Sequence, residues 1–543
     1  MQPVLNVEDI RAVEQRLADV GVSISELMHR AGGAAAQEVL RFGGVSNVVV
    51  LAGYGNNGGD GWVAAESLKS SGVSVTVVSP CEPDELHGDL ACMVAKAARD
   101  AGVDYVVGPS RDELDALLAK ADAALDAMLG TGFHDMPAVP FSIWIDALNA
   151  SGARVVAVDV PSGLSAQTGH APGAVVVADV TVTMLALKPG LLADDGRDVC
   201  GSIVVAPLAE QTQQLVFDAD PVAWRCEGPD YLDVLVPPTS SVDKYTRGSV
   251  LVVGGSSRFP GAAIMAAKAA ARAGAGYVTL AVPEPVANLA RMHLLEITVV
   301  GLPADADGTF ASAARSVVAD LASKRSATLV GPGMCVTGGT VGVVSSLLES
   351  DVPLVIDADG LNSLSRLTAG RLDEFPELLR RKKPLVLTPH RRELGRLVGL
   401  TSTPPDSLTS ALEAARRIVW ADGGSEICVV AKGTATACVG VEIALLPKPG
   451  PASLATAGSG DVLAGIMAAQ LAHGGGTDSL PVLCALACEV HGCAGSIAQE
   501  RFGTRGVMAA DIIDAVGLAT DAVEDHAAFA DDETGDAADA SAE

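Results

Sequence analysis

Aromatic side chains make up only 3% of this 543-residue chain, so large rings cannot dominate its core. With 49% apolar residues and 58 glycines, the composition points instead to close-packed Ala/Val/Gly layers of α/β type. Cations are also scarce. There are 37 Lys and Arg against 66 Asp and Glu, a net charge of −29. Asp521–Glu543 holds nine acids and no Lys or Arg, so the remainder still carries −29 + 9 = −20. That balance excludes nucleic acid and anionic membrane as partners. An anionic ligand must then be held locally, by backbone amides, helix ends and single cations. The ten cysteines include no CxxC pair and no framework spacing, which suits a reducing cytoplasm. Cys484, Cys488 and Cys493, with His491 among them, lie along one Ala-rich apolar stretch, where free cysteine packs as a small hydrophobe. No uncharged run reaches about 18 apolar residues, and Met1–Leu17 carries charges where a signal peptide is apolar. A soluble, cytoplasmic protein is expected. GxxxxGK[ST] is absent, which excludes a P-loop.

What is present divides in two. The length predicts two or three domains. In the first half, helices are expected at Glu8–Leu17 and Ser25–Leu40, followed by a buried parallel strand at Val48–Leu51. That strand opens into a loop, Gly53-Tyr54-Gly55-Asn56-Asn57-Gly58-Gly59-Asp60-Gly61, before a helix at Trp62–Ser71. Gly53, Gly55 and Gly58 fit GxGxxG, but the next strand, Val73–Val78, ends in Ser79-Pro80-Cys81 rather than in the acid that holds a ribose hydroxyl. An ordinary hydride-transfer domain is therefore disfavoured. Ala123–Leu125 leads to Asp126 and Gly130-Thr131-Gly132, and Val155–Val158 leads to Asp159 and Pro161-Ser162-Gly163. Each Asp alone could be a turn former. Three such loops at strand ends point to one crevice. After Lys188-Pro189-Gly190 and a strand at Ser202–Val205, Glu210–Pro229 loses periodicity and reads as a linker.

A second run of βα units begins at Ser249–Val253, with a small-residue helix at Gly261–Ala273. Its strands end in Gly331-Pro332-Gly333, Asp357-Ala358-Asp359-Gly360, Thr388-Pro389-His390 and Lys432-Gly433-Thr434. Near its end, Gly458-Ser459-Gly460 precedes an apolar helix, Val462–Ala472, with Gly474 placed to cap it. Backbone amides and the helix dipole at such a start favour an anion, and Asp461 in the first turn could cap the helix or accept a proton from a hydroxyl facing a phosphate. The last segment, Asp521–Glu543, reads as a disordered acidic tail.

Thr456–Gly465 resembles the anion-hole and catalytic-base motif of ribokinase-like proteins. Together with Asp357–Asn362 and Thr388–His390, it makes the second half similar to the ADP/ATP-dependent NAD(P)H-hydrate dehydratase domain. Gly53–Gly61, Asp126 and Asp159–Gly163 make the first half similar to the NAD(P)H-hydrate epimerase domain. The resemblance covers about residues 1–520. It implies an N-terminal Rossmann-like three-layer sandwich (1–215) and a C-terminal ribokinase-like α/β domain (230–520), followed by the tail (521–543). The epimerase half would use Asp159 as its catalytic residue. Its substrate would be held by Asn56, Asn57, Gly58, Gly59, Asp60, Gly130, Thr131, Gly132, Phe133, His134, Asp135 and Met136. A potassium ion would sit on Asn57, Asp126 and Ser162, oxygen ligands that suit a hard cation. In the dehydratase half Asp461 would be the base, and Ala263, Gly333 and His390 would meet the substrate. Lys432, Gly433, Thr434, Ala435, Thr436, Gly458, Ser459 and Gly460 would meet ADP or ATP with its magnesium. The implied partners are hydrated NADH and NADPH and the adenine nucleotide, with a homo-oligomer as the expected assembly. Two positions depart from the pattern: His29, where an acid is usual, and Arg391-Arg392, where small residues are common. A ribokinase-like vitamin kinase fused to a dinucleotide-binding module is the alternative, and accumulation of a phosphorylated product would identify it.

Overall fold

Val-rich stretches buried on both faces make the strands here, as parallel sheets covered by helices require. A computed structural model describes residues 1–133, 135–235, 247–402, 404–421, 426–473 and 480–539, with side chains as far as residue 527. The chain forms two units, one of Gln2–Val222 with Ser407–Thr409 and one of Ala223–Asp406 and Ser410–Glu543 with Met1.

In the N-terminal unit, β1 (Gln2–Val4) opens the chain and bridges to Leu187. Seven further strands follow: β2 (Asn47–Ala52), β3 (Ser74–Ser79), β4 (Asp104–Val107), β5 (Ala123–Ala127), β6 (Arg154–Val158), β7 (Val180–Met184) and β8 (Ser202–Ala206). They form one parallel sheet in the order β4-β3-β2-β5-β6-β7-β8. The strand order reverses at β2, so the loops after β2 and β5 flank a topological switch point, where such sheets bind ligands. The expected glycine loop after β2 is shorter than the sequence suggested. The helix begins at Asn56 and runs to Ser70, so Asn56–Asp60 form its first turn. Close packing explains the glycines. A Cβ on Gly58 would stand 2.1 Å from the Gly53 carbonyl oxygen, and one on Gly61 would stand 2.6 Å from the Ala127 methyl.

The C-terminal unit holds β9 (Ala223–Arg225), β10 (Ser249–Val253), β11 (Tyr277–Pro283), β12 (Thr298–Leu302), β13 (Ala327–Val330), β14 (Leu354–Ile356), β15 (Leu385–Leu387), β16 (Ile427–Ala431), β17 (Ala437–Val439) and β18 (Ala444–Leu446). Their order is β9-β18-β17-β16-β15-β14-β13-β10-β11-β12. Pairing is parallel except around β17, whose neighbours β16 and β18 run against it. The helix Ser459–Ala472 is apolar all round, as a helix enclosed by protein should be. At Gly465 it packs so closely on the helix Pro260–Arg272 that a Cβ would stand 2.3 Å from the Ala266 carbonyl oxygen. That contact accounts for the Ala-rich composition of the second helix. Gly474 lies outside the described residues. The helix Leu480–Phe502 is long and apolar enough to cross a bilayer, but 67% of that window is buried inside the protein.

Two expectations at the boundaries are corrected. The stretch read as a linker, Glu210–Pro229, contains the helix Thr212–Phe217 and strand β9, because Val216 and Ala223 supply buried apolar anchors. The last helix, Ala509–Asp539, continues past the point where disorder was expected, and Val523 and Ala527 are buried in it.

Candidate functional sites

The N-terminal site is a cavity of about 520 Å³ at the carboxyl ends of the strands. Asn56, Asn57, Asp60, Gly130, Thr131, Gly132, Phe133 and Asp159 line it, with Met28, Tyr54 and Phe141 as apolar walls. Gly58 and Gly59 stand behind this lining, packed on Gly53 and Met28. Asp135 and Met136 are not part of the lining, and His134 lies outside the described residues.

Asp159 follows β6 with φ at +66°, a left-handed conformation that turns the chain sharply at the strand end. The fully buried Lys188 donates from its ammonium to Asp159 Oδ1 at 2.6 Å. The same ammonium donates to Thr183 Oγ1 at 2.8 Å and to the Met184 carbonyl at 3.0 Å. All three of its protons are therefore placed. Burial, then the charges of Asp159 and Glu14, push the Asp60 carboxyl well above its ordinary range. Glu14 is raised in the same way, by burial and then by Asp159.

The three proposed potassium ligands come together in part. Asp126 is fully buried; its Oδ1 accepts from Ser162 Oγ at 2.6 Å and its Oδ2 from the Ser162 amide at 2.7 Å. Burial, partly offset by these bonds, pushes its carboxyl up to about 6. Asn57 lies against Gly130, and its buried Nδ2 has no partner among the described residues. A desolvated acid, a hydroxyl and an unsatisfied amide fit a cation bound through oxygen, since the amide can present either end.

The C-terminal site is a row of strand-end loops. Gly458 has φ at +90° and starts the helix Ser459–Ala472, with Asp461 in its first turn. Burial, then repulsion from Asp357 and Asp359, raises the Asp461 carboxyl to about 7, against the pull of Lys432. Lys432 itself is engaged by Asp357, at 2.8 Å from its Oδ1, which also accepts from Thr388 Oγ1 at 2.7 Å. The Lys432 ammonium stands 3.6 Å from where a Cβ on Gly460 would be. Ser459 Oγ meets the buried His491 Nε2 at 3.1 Å, so this histidine faces the helix start and is not grouped with the nearby cysteines. Burial lowers His491 to about 4 and keeps it neutral.

His390 caps the helix Arg391–Leu397, its Nδ1 accepting from the amides of Arg392 and Glu393, and leaves its ring half exposed beside Lys432. Lys432–Thr436 turn between β16 and β17, and the Arg391 guanidinium lies over Gly433 and Thr434. Ala263 and Gly333 share one corner: Gly254 is pressed between Ala263 and Pro332, and Ser256 Oγ donates to the Gly333 carbonyl at 2.7 Å. The Cys335 amide links this corner to Asp359 Oδ2 at 2.8 Å. His29 is exposed and bonded to the Ser25 carbonyl of its own helix.

Sequence reasoning missed Lys188, Asp357, Arg11 and Glu14 as site residues. Asp357 was legible as the first acid of a strand-end Asp-Ala-Asp motif. Lys188 stands in the segment Lys188-Pro189-Gly190, and nothing in its neighbours announces a buried ammonium. Arg11 and Glu14 fall within the expected helix Glu8–Leu17, where no local pattern marks them.

Fold and sites together define a two-unit α/β enzyme with an acid-lined cavity in one unit and a phosphate-type helix start in the other. The family model for NAD(P)H-hydrate dehydratase matches residues 250–517, and that for the YjeF-related protein N-terminus matches residues 24–190. A bifunctional NAD(P)H-hydrate repair enzyme of Salinibacter ruber is 36% identical over 95% of this chain and 95% of its own. Its counterpart in Escherichia coli is 34% identical over 93% and 91%. A solved ADP/ATP-dependent NAD(P)H-hydrate dehydratase from Bacillus subtilis is 26% identical over 55% of this chain and 98% of its own, with a TM-score of 0.45. The chain belongs to the family of bifunctional NAD(P)H-hydrate repair enzymes, with an epimerase half and a dehydratase half.

Proposed function

We propose that the two acids at the two helix and strand ends divide the repair between them. In the N-terminal cavity, Asp159 assists loss and return of the hydroxyl on the hydrated nicotinamide ring, which interconverts the R and S forms without net redox change. Lys188 fixes the Asp159 carboxyl where it meets the ring. Asn57, Asp126 and Ser162 would hold potassium, which would place positive charge beside the substrate's diphosphate.

In the C-terminal unit, Asp461 takes the proton of the ring hydroxyl as that oxygen attacks the terminal phosphorus of ADP or ATP, which arrives with magnesium. The amides of Gly458 and Gly460 and the helix dipole face the transferred charge. Phosphate then leaves in place of hydroxide, and elimination restores NADH or NADPH. The observation that carries this reading is the Asp461 carboxyl, raised to about 7 in the first turn of a glycine-lined helix start, since a base poised near the working pH is the effective one. Incubating the full chain with mixed hydrate epimers tests it. Exchange without nucleotide, and complete conversion to reduced cofactor with ADP or ATP, are expected. A stable phosphorylated product that never yields reduced cofactor would favour the vitamin-kinase alternative.

A further inference from the structure

We propose that Arg11 receives the diphosphate of the hydrated dinucleotide in the N-terminal cavity, an assignment that rests on reading that cavity as the epimerase site. The cavity presents a problem of charge. Glu14, Asp60 and Asp159 all line it, and its substrate carries two further negative charges on the diphosphate. Lys188 answers Asp159, and the potassium proposed above would answer part of the diphosphate charge, which leaves a place for one more cation. Among the described lining residues Arg11 is the one lysine or arginine.

Its position fits the task. Arg11 projects from the helix Val7–Asp19, which also supplies Ile10 and Glu14 to the lining. Its Nη2 is 3.6 Å from the point where a Cβ on Gly132 would stand, and beyond Gly132's own chain neighbours no other described residue comes within 4 Å of that point. The guanidinium forms no hydrogen bond and no ion pair with any described residue. The loop beneath it is in the same condition. Leu129 donates its amide to Ser162 Oγ at 2.9 Å, and Phe133 donates to the Gly130 carbonyl at 3.0 Å. Between them the amides of Gly130, Thr131 and Gly132 donate to no described acceptor. Three successive amides without a described acceptor, with a guanidinium over the last of them that bonds to no described residue, match a phosphate group: the amides form an anion-binding concavity and the planar fork supplies paired donors. Gly132 keeps the space between loop and guanidinium clear. The diphosphate is common to both hydrated cofactors, so Arg11 serves NADH and NADPH hydrates alike.

The test is epimer-exchange kinetics of the full chain with Arg11→Ala and Arg11→Lys, at fixed ionic strength, on both hydrates. Arg11→Ala is expected to raise KM for both about 10- to 100-fold, the range of a lost charge-assisted hydrogen bond, with kcat changed by less than about twofold. Arg11→Lys should fall between, keeping the charge without the fork. Dehydration by the same chain should be unaltered and the melting curve nearly so, because Arg11 makes no hydrogen bond or ion pair with a described residue and only a through-space attraction to Glu14. A KM within about twofold of the wild type overturns the assignment, as does a fall in kcat at constant KM. A loss confined to the NADPH hydrate also overturns it, by placing Arg11 on the 2′-phosphate. If the unaltered chain exchanges no epimers, the reading of the cavity itself fails, and this assignment with it.

Discussion

Asp159 and Asp461 are the same residue type at the same kind of place, the mouth of a parallel sheet, yet their surroundings set them apart. Asp159 has a buried ammonium in direct contact, at 2.6 Å, and among the described residues that ammonium donates to no other carboxylate. Asp461 also has a lysine nearby, but Lys432 is bound to Asp357 at 2.8 Å. Asp461 is left with desolvation and two acidic neighbours, which lift it to about 7. One carboxyl is fixed by a partner. The other is free to take a proton.

The sharpest way to break this contrast is to remove each acid's charge. Asp461→Asn should lower dehydration by about 10²- to 10⁴-fold, the usual loss for a general base, while nucleotide binding measured by calorimetry persists on the Gly458 and Gly460 amides. A pure helix-capping role predicts instead an active mutant, because Asn caps about as well as Asp. Asp159→Asn should abolish epimer exchange to a similar extent and leave dehydration of the S form intact. Wild-type exchange in that mutant would remove Asp159 from the chemistry.

Lysine substitutions sharpen the comparison further. Lys188→Met leaves Asp159 without its partner in a largely buried setting, and breaking such a pair costs about 3 kcal/mol. The N-terminal unit should therefore melt earlier in calorimetry, with dehydration at permissive temperature unaffected. A melting curve like the wild type's would mean that the pair contributes little net stability.

A smaller effect is the pH dependence. Dehydration should rise with pH through about 7, as Asp461 loses its proton. Stability runs the other way. The folded chain binds this proton more tightly than the unfolded chain, whose carboxyl has its ordinary value of 3.8, so this group's contribution is complete at low pH and is lost as pH climbs from about 4 to about 7. His491 acts in the opposite sense. It is lowered from 6.5 to about 4, so the stability it contributes is lost as pH falls across that interval. Comparing melting temperatures of the wild type and Asp461→Asn from pH 4 to pH 8 isolates the first term, which should vanish in the mutant.

Much of the fold was legible because buried parallel strands are short apolar runs ending in Gly or Asp, as at Val48–Leu51 and Leu354–Ile356. The antiparallel strands β17 and β18 escaped, being three residues each with no period to read. The early start of the helix at Asn56 escaped too, since Asn-Asn-Gly-Gly scores poorly for helix and is held there by packing on Gly53 and Met28. Within the sites, strand-end acids and glycines showed themselves by position. The lysines did not: pairing Lys188 with Asp159 across 29 residues, or Lys432 with Asp357 across 75, is a property of the folded sheet and leaves no local pattern.

The left-handed backbone at Asp159 bears on what random variation at this position can reveal. Most L-residues resist φ near +66°, whereas Asn, Asp and Gly accept it. A library saturated at codon 159 should pass through two successive filters. Selection for soluble chain would keep Asn and Gly beside Asp, and selection for epimer exchange would then discard both. The gap between the two survivor lists measures how much of that aspartate's identity belongs to the turn and how much to the reaction.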